Sequence, residues 1–262
     1  MISSKLPRST KIVATIGTTT DDANIIKQLI KTGVNVFRLN FSHGNHGDHL
    51  KRITHIRSAE KEMNSNVAIL ADLQGPKFRV GAVKNESKVI KGSNYIFDKN
   101  PETGNFKRVN LPHDEIFESL SIGSNILMDD GKLQFRVIDK SKDEIKTEVL
   151  VGGVIKSNKG VNLPDVVVNT SPLTSKDIED LKFILNQEID WIALSFVQKL
   201  KDVEEVKKYI GDKAGVIAKI EKPSALKELN EIIEACDSIM VARGDLGVEL
   251  APEEVPGIQK EI

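Results

Sequence analysis

Charged and polar side chains follow the second of several short apolar runs in this 262-residue chain. Arg38, Asn40 and Ser42 stand two residues apart, so one face of a strand would carry all three. A cation beside amide and hydroxyl oxygens suits a phosphate group and a metal ion. An arginine that pairs with a carboxylate for structural reasons is the alternative, and the sequence leaves it open.

Three later apolar runs end in further charged groups. Lys219 and Glu221 share one strand face, and charge within an apolar strand is costly unless it is paired or holds a ligand. Asp72 either faces the same site or caps a turn, and Asp245 either joins the site or is an exposed turn residue. If Glu221 and Asp245 lie on adjacent strand ends, their carboxylates suit Mg²⁺, which takes few protein oxygens.

Alternating strands and helices would position these groups. Six apolar runs alternate with helical patterns, which indicates a parallel α/β sheet or barrel, where functional side chains gather at the carboxyl ends of the strands. After the third run, short β-rich stretches and turns replace the helical patterns. We therefore predict a discontinuous barrel domain, residues 1–76 and 169–262, and an inserted all-β domain, residues 77–168.

Local signals predict where several helices begin and end. Residues 20–22 supply capping side chains for the first helix, and Gly33 fits its end. Thr174 with Asp177 matches a capping box, and Ser224 would cap a later helix. The periodicity also places His46, His49 and His55 on one helix, where we expect them to be solvated.

Composition excludes several classes of protein. With 37 basic and 38 acidic residues, no bulk field favours nucleic acid or an anionic membrane. No apolar run is long enough to span a bilayer, and the first residues lack a signal-peptide core. Cys236 is the only cysteine, which excludes an internal disulfide and fits a reducing cytoplasm. The common nucleotide-binding fingerprints are absent.

The chain resembles pyruvate kinases in six stretches, in order along the sequence: 11–17, 35–44, 72–79, 159–164, 219–221 and 239–247. The resemblance implies a (β/α)8-type (TIM) barrel with a β-rich lid inserted after the third strand. It implies transfer of the phosphoryl group of phosphoenolpyruvate to ADP, giving pyruvate and ATP, the glycolytic reaction. Mg²⁺ as cofactor, a cytoplasmic location and a homotetramer are further implications.

The resemblance also implies roles for individual residues. Glu221 and Asp245 are the expected Mg²⁺ ligands. Lys219 is the expected catalytic cation, and Arg38 would hold the phosphate. The backbone of Gly244 and Asp245, with Ser195, would bind the substrate carboxylate. The expected ADP-side residues are Asn40, His43, Arg79, Asp130 and Lys159.

Two departures from the family pattern concern ligands. Many members carry Glu where this chain has Lys77, beside a monovalent-cation site that Asn40, Ser42, Asp72 and the Leu73 carbonyl resemble. Leu73, Gln74 and Lys77 together resemble the K⁺-independent subgroup, so we expect the Lys77 ammonium to replace K⁺ and the reaction not to require it. Residues 17–19, Gly-Thr-Thr, replace the usual Gly-Pro-Ala/Ser, which puts the affinity for ADP in question.

The third departure is length, because the chain ends at Ile262, within the expected helix after strand six. The expected fold is therefore a barrel that is incomplete at the C-terminus and lacks much of the tetramer interface. We expect this chain alone to be unstable or weakly active. The alternatives are a non-catalytic remnant that keeps partial ligand binding, and a Mg²⁺-dependent pyruvate or phosphoenolpyruvate lyase on a similar barrel.

Overall fold

Two large β-sheets organise the chain. The computed structural model describes residues 8–84, 87–164 and 166–262. Residues 1–7, 85–86 and 165 belong to the predicted domains above and lie outside the described residues. In chain order the elements are β1 (Val13–Thr15), α1 (Ala23–Thr32), β2 (Val36–Asn40), α2 (His46–Glu62), β3 (Ala68–Asp72), β4 (Lys88–Val89), β5 (Asn94–Asp98), β6 (Arg108–Asn110), α3 (Asp114–Ser119), β7 (Asn125–Met128), β8 (Leu133–Lys140), β9 (Glu144–Val151), β10 (Gly153–Val154), β11 (Val161–Asn162), α4 (Ser175–Ile184), β12 (Trp191–Leu194), α5 (Leu200–Ile210), β13 (Gly215–Ile220), a 3₁₀-helix (Pro223–Glu228), α6 (Leu229–Ala235), β14 (Ser238–Val241), α7 (Arg243–Glu249) and α8 (Val255–Glu261).

The first sheet is parallel and joins strands from both ends of the chain. Its order is β1-β2-β3-β12-β13-β14, and β3 pairs with β12 so that Asp72 lies beside Ala193. Helices connect its strands on either side of the intervening segment. Six parallel strands among the described residues, with these helices, confirm the predicted α/β class and an incomplete barrel.

Strand alternation separates the core of this sheet from its functional face. In β2, Phe37 and Leu39 are fully buried with the helices, whereas Arg38 and Asn40 stand on the other face. In β13, Ala218 belongs to the core and Lys219 faces away from it. Apolar burial on one face therefore fixes which side chains reach the other.

The second sheet is built from the intervening segment. Its order is β11-β7-β8-β9-β5-β6, antiparallel except for the β5–β6 pair, and β4 pairs separately with β10. Tyr95, Phe97 and Phe135 lie at the centre of its own core, with ring centroids 5.1–5.5 Å apart. A short helix, α3, lies within residues 77–168, which were expected to be all-β. We call residues 77–168 the lid below, and its boundaries stay a prediction.

The capping predictions for α1 and α4 are confirmed, and the one at Ser224 is wrong. The Asp22 carboxylate accepts from the amides of Asn24 and Ile25, and Gly33 ends α1 in the left-handed conformation at φ 106°. Thr174 and Asp177 form the capping box of α4. Ser224 caps no helix, because Pro223 begins a 3₁₀ turn and α6 starts only at Leu229.

The prediction that the three histidines are solvated is wrong at His49 and only partly met at His55, which is half-buried. His49 is 1% exposed, stacks on Phe41 at 4.0 Å between ring centroids, and its Nε2 lies 3.0 Å from the His43 carbonyl oxygen. Most of its neighbours in sequence are polar, so no sequence pattern indicates this contact with Phe41. None of the helices in the described part of the chain is both long and apolar enough to cross a membrane.

Candidate active site

The carboxyl ends of β2, β3, β12 and β13 meet around an open cleft with a volume of about 130 Å³. Its walls hold most of the side chains singled out above, namely Arg38, Asn40, Ser42, Asp72, Leu73, Gln74, Lys77, Ser195, Lys219, Glu221 and Asp245, and also Phe196, which was not among them. Parallel pairing places consecutive strand ends at one edge of the sheet, so residues more than 200 positions apart in sequence converge there.

Asp72 is the buried centre of this cleft. It is 1% exposed, and its Oδ2 accepts from Arg38 Nε at 2.7 Å while its Oδ1 lies 3.2 Å from Lys219 Nζ. Asp72 is therefore not a turn cap. Arg38 does pair with a carboxylate, as the structural alternative supposed, but it also lines the cleft and reaches Thr15 Oγ1 at 3.0 Å.

Lys219 lies between two carboxylates. Its Nζ is 2.8 Å from Glu221 Oε1, 3.2 Å from Asp72 Oδ1, and donates to Ser195 Oγ at 2.8 Å. Burial alone would lower the pKa of this ammonium, but the Glu221 and Asp72 carboxylates outweigh burial and raise it. The two carboxylates thus favour the charged form of Lys219, which lines the cleft.

Glu221 is 2% exposed and shares its charge between two donors, Lys219 and the Phe196 amide, which donates to Oε2 at 2.9 Å. Burial raises the pKa of Glu221; Lys219 opposes this rise, and the charge of Asp245 adds to it. Asp245 is exposed, in the first turn of α7 next to Gly244. Two hard oxygen donors that repel each other across an open cleft suit a divalent cation.

These two carboxylates do not make a complete metal cage. No cluster of three or more histidine, cysteine or acidic side chains in the described ranges could hold a metal ion.

Ser195 and Phe196 follow β12. The Ser195 hydroxyl donates to the Leu73 carbonyl at 2.8 Å and accepts from Lys219. Phe196 has φ +56°, unusual for a residue with a side chain, and this turn aims its amide at Glu221. No sequence pattern marks Phe196, because its role rests on backbone geometry.

The residues of the expected monovalent-cation site line the same cleft. Asn40 Oδ1 accepts from the Ser42 amide at 3.0 Å, and Asp72 and the Leu73 carbonyl are already engaged by Arg38 and Ser195. Lys77 is exposed, and its ammonium forms no ion pair with any residue that the structure describes.

The expected ADP-side residues are less closely grouped. Asn40 lines the cleft, and Asp130 lines a neighbouring cavity that shares Lys77 and Asp245 with it. His43, Arg79 and Lys159 line neither of these two cavities.

Two of these three outlying residues are engaged within the lid. Arg79 donates to the Asn158 carbonyl at 2.8 Å, and Lys159 pairs with Asp129 at 2.7 Å, which lowers the pKa of Asp129. The backbone carbonyl oxygen of His43 lies 3.0 Å from His49 Nε2 on α2. The structure thus brings only part of the expected ADP-side set together.

Comparison with known proteins gives one consistent result. The family model described as pyruvate kinase, barrel domain, matches residues 7–262. A pyruvate kinase of Agrobacterium vitis is 48% identical over 257 residues, which cover 97% of this chain and 54% of that protein. A pyruvate kinase of Methylorubrum extorquens is 48% identical over 98% of this chain and 54% of its own length, and pyruvate kinase 2 of Synechocystis is 44% identical over 100% and 46%. The chain spans about half the length of the curated relatives it matches.

Proposed function

The chain belongs to the pyruvate kinase family, and from that premise we propose that the protein carrying it transfers the phosphoryl group of phosphoenolpyruvate to ADP. The products are pyruvate and ATP. The bond between phosphorus and the enol oxygen breaks, a bond to the terminal ADP oxygen forms, and the enolate takes a proton. The relatives' names and the cleft chemistry together support this reaction.

One observation carries the proposal: the buried side chains of Lys219, Asp72 and Glu221 lie together with the partly exposed Arg38 where the strands end. Phosphoryl transfer spreads negative charge over the phosphoryl oxygens, and positioned cations stabilise that charge. Arg38 and Lys219 supply fixed positive charge, while Asp72 holds both cations in place at 2.7 and 3.2 Å.

Within this reaction, Arg38 binds the phosphate and Lys219 stabilises both the transferred group and the enolate oxygen. Ser195 is held against Lys219 and lines the substrate site. The first-turn amides of α7, at Gly244 and Asp245, have no carbonyl partner within the helix and suit the substrate carboxylate.

Glu221 and Asp245 would hold Mg²⁺. When bound, the ion neutralises charge on the phosphoryl oxygens and orients them. Burial raises the pKa of Glu221 and the charge of Asp245 adds to the rise, so a cation between the two carboxylates would remove this second contribution.

On the nucleotide side, we propose that Asn40, His43, Arg79, Asp130 and Lys159 contact ADP. Three of them, Arg79, Asp130 and Lys159, belong to the lid, residues 77–168, which is inserted between the two barrel segments 1–76 and 169–262. Closure of such a lid over the strand ends excludes water and limits hydrolysis of the phosphoryl donor. A cytoplasmic location follows from the glycolytic role.

We also propose that the reaction needs no K⁺. Lys77 lines both cavities, and it lines the cleft together with Asn40 and Ser42, so its ammonium can supply the positive charge that K⁺ supplies elsewhere.

The central test is turnover of phosphoenolpyruvate and ADP by the protein carrying this chain, with Mg²⁺ present. Lys219→Met should reduce kcat by about 10²-fold or more, the typical loss when one preorganised electrostatic group is removed. Lys207→Met is the matched control, because Lys207 makes only an exposed ion pair with Asp237 at 3.4 Å. Pyruvate formation that needs no ADP would contradict the proposal and favour a lyase.

The K⁺ proposal has its own assay. Without K⁺, the wild-type protein should keep full activity, and Lys77→Glu should lose most of it until K⁺ is added. A tenfold rise of the wild-type rate on addition of K⁺ would refute the role of Lys77.

A further inference from the structure

One carboxylate oxygen of Glu249 joins three parts of the fold outside the group of charged side chains formed by Arg38, Asp72, Lys219 and Glu221. Glu249 Oε1, at the end of α7, accepts from Lys222 Nζ at 2.8 Å and from Asn162 Nδ2 at 2.8 Å. Lys222 follows β13, and Asn162 belongs to lid strand β11. Lys222 also donates to the carbonyl of the next lid residue, Leu163, at 3.4 Å.

This junction is buried. The Glu249 side chain is 1% exposed and that of Lys222 10%. The second oxygen of Glu249, Oε2, is buried without a hydrogen-bond partner among the residues that the structure describes. A desolvated carboxylate with one unpartnered oxygen is costly, so its position must be held by the surrounding fold.

Lys222 and Glu249 stand close in sequence to the proposed magnesium ligands. Lys222 directly follows Glu221, and Glu249 comes four residues after Asp245 on the same helix, hence on the same face. The Lys222–Glu249 pair therefore connects the backbone that carries one metal ligand to the helix that carries the other. Asn162 attaches the lid to the same atom.

We infer that Glu249 is a positioning residue, which sets the spacing of Glu221 and Asp245 and, through the same oxygen, holds lid residue Asn162. The inference rests on the proposed function for the identity of the metal. A buried ion pair contributes little net stability, because desolvation offsets its attraction, so geometry is the main contribution of this one. Glu249 touches neither substrate nor metal in this arrangement.

The test is Glu249→Gln in the protein carrying this chain, with Mn²⁺ alone as the metal probe. Calorimetry should give a dissociation constant for Mn²⁺ at least fivefold higher than wild type, and amide hydrogen exchange should be faster at residues 161–163. The matched control is Asp98→Asn, which makes the same kind of change in an ion pair with Arg108 inside the lid. It should leave the affinity for Mn²⁺ within twofold of wild type.

Asn162→Leu distinguishes the contact of Glu249 with the lid from its ion pair with Lys222. It removes the lid contact and leaves the charge pair, so exchange at 161–163 should rise while the affinity for Mn²⁺ stays within twofold. If Glu249→Gln does not fold, Glu249→Asp, which keeps the charge and shortens its reach, replaces it under the same criteria.

A folded Glu249 variant with wild-type affinity for Mn²⁺ and wild-type exchange would overturn the inference, even if its melting temperature fell as that of Asp98→Asn does. A wild-type protein that binds no Mn²⁺ would instead refute the proposed metal site, and the inference with it.

Discussion

Replacing Lys219 by methionine should destabilise the parallel sheet measurably. Its ammonium lies 2.8 Å from Glu221 and 3.2 Å from Asp72, and at an effective dielectric constant of about 20 these contacts correspond to gross attractions of about 6 and about 5 kcal/mol. Desolvation offsets most of this, and breaking a buried pair typically costs about 3–5 kcal/mol. Asp72 keeps Arg38, but Glu221 keeps only the Phe196 amide. One uncompensated charge places the loss near 3 kcal/mol, the lower end of that range.

The assay is urea unfolding followed by the fluorescence of Trp191, the only tryptophan in the chain. Trp191 lies in β12, between β3 and β13, so its signal reports on the parallel sheet and not on the lid. Lys207→Met, which removes an exposed ion pair, should change the free energy of unfolding by less than about 1 kcal/mol.

A double variant sharpens the test. Lys219→Met with Glu221→Gln should be more stable than Lys219→Met alone, because the stranded charge is gone. A loss below about 1 kcal/mol for Lys219→Met, or a double variant that loses the sum of the two single losses, would refute the electrostatic coupling of this cluster.

Three further predictions concern the surrounding scaffold. Burial lowers the pKa of His49, so below about pH 6.5 the unfolded chain binds a proton that the folded chain does not. As the pH falls from about 6.5 to the lower pKa of the folded state, the free energy of unfolding should therefore decrease. His49→Gln should make this decrease smaller in urea titrations at several pH values. Asp177 Oδ1 accepts from the amides of Gln74 and Gly75, so Asp177→Asn should cost about 1–3 kcal/mol in thermal melts. Gly75→Ala should cost more than Gly92→Ala, because both have positive φ but only at Gly75 would the new Cβ lie 3.0 Å from the Phe196 side chain. An unchanged pH slope, a neutral Asp177→Asn or equal losses at the two glycines would contradict these expectations.

Most of the fold could be predicted because its determinants are local or periodic. The alternation of Phe37 with Arg38 in β2 separates core from cleft before any tertiary contact is known. Thr174 and Asp177 satisfy each other within one helical turn, so their capping box is readable from spacing alone. The convergence of functional side chains also follows, because parallel strands linked by helices align their carboxyl ends.

The features that sequence reasoning missed depend on tertiary contacts. His49 sits among polar residues, yet it is buried by stacking on Phe41. The backbone amide of Phe196 reaches Glu221 only because Phe196 has a positive φ, and the residue type does not predict that conformation. Glu249 looks like one more acidic residue on a short helix, and only the approach of Lys222 and the lid reveals its partners.

The pairing of β3 with β12 has a consequence for the order of folding. It joins Ala71 to Ile192, 121 positions apart, and closing so long a loop is entropically slow. The lid can shorten it, because backbone hydrogen bonds from Val161 to Phe78 and from Val80 to Lys159, both 3.0 Å, bring its two ends together. With the lid formed first, the effective loop shrinks to about 40 residues, which lowers the closure cost by about 1 kcal/mol. The inserted segment would then act as an intramolecular splint, and circular permutants opened within it should assemble the parallel sheet more slowly.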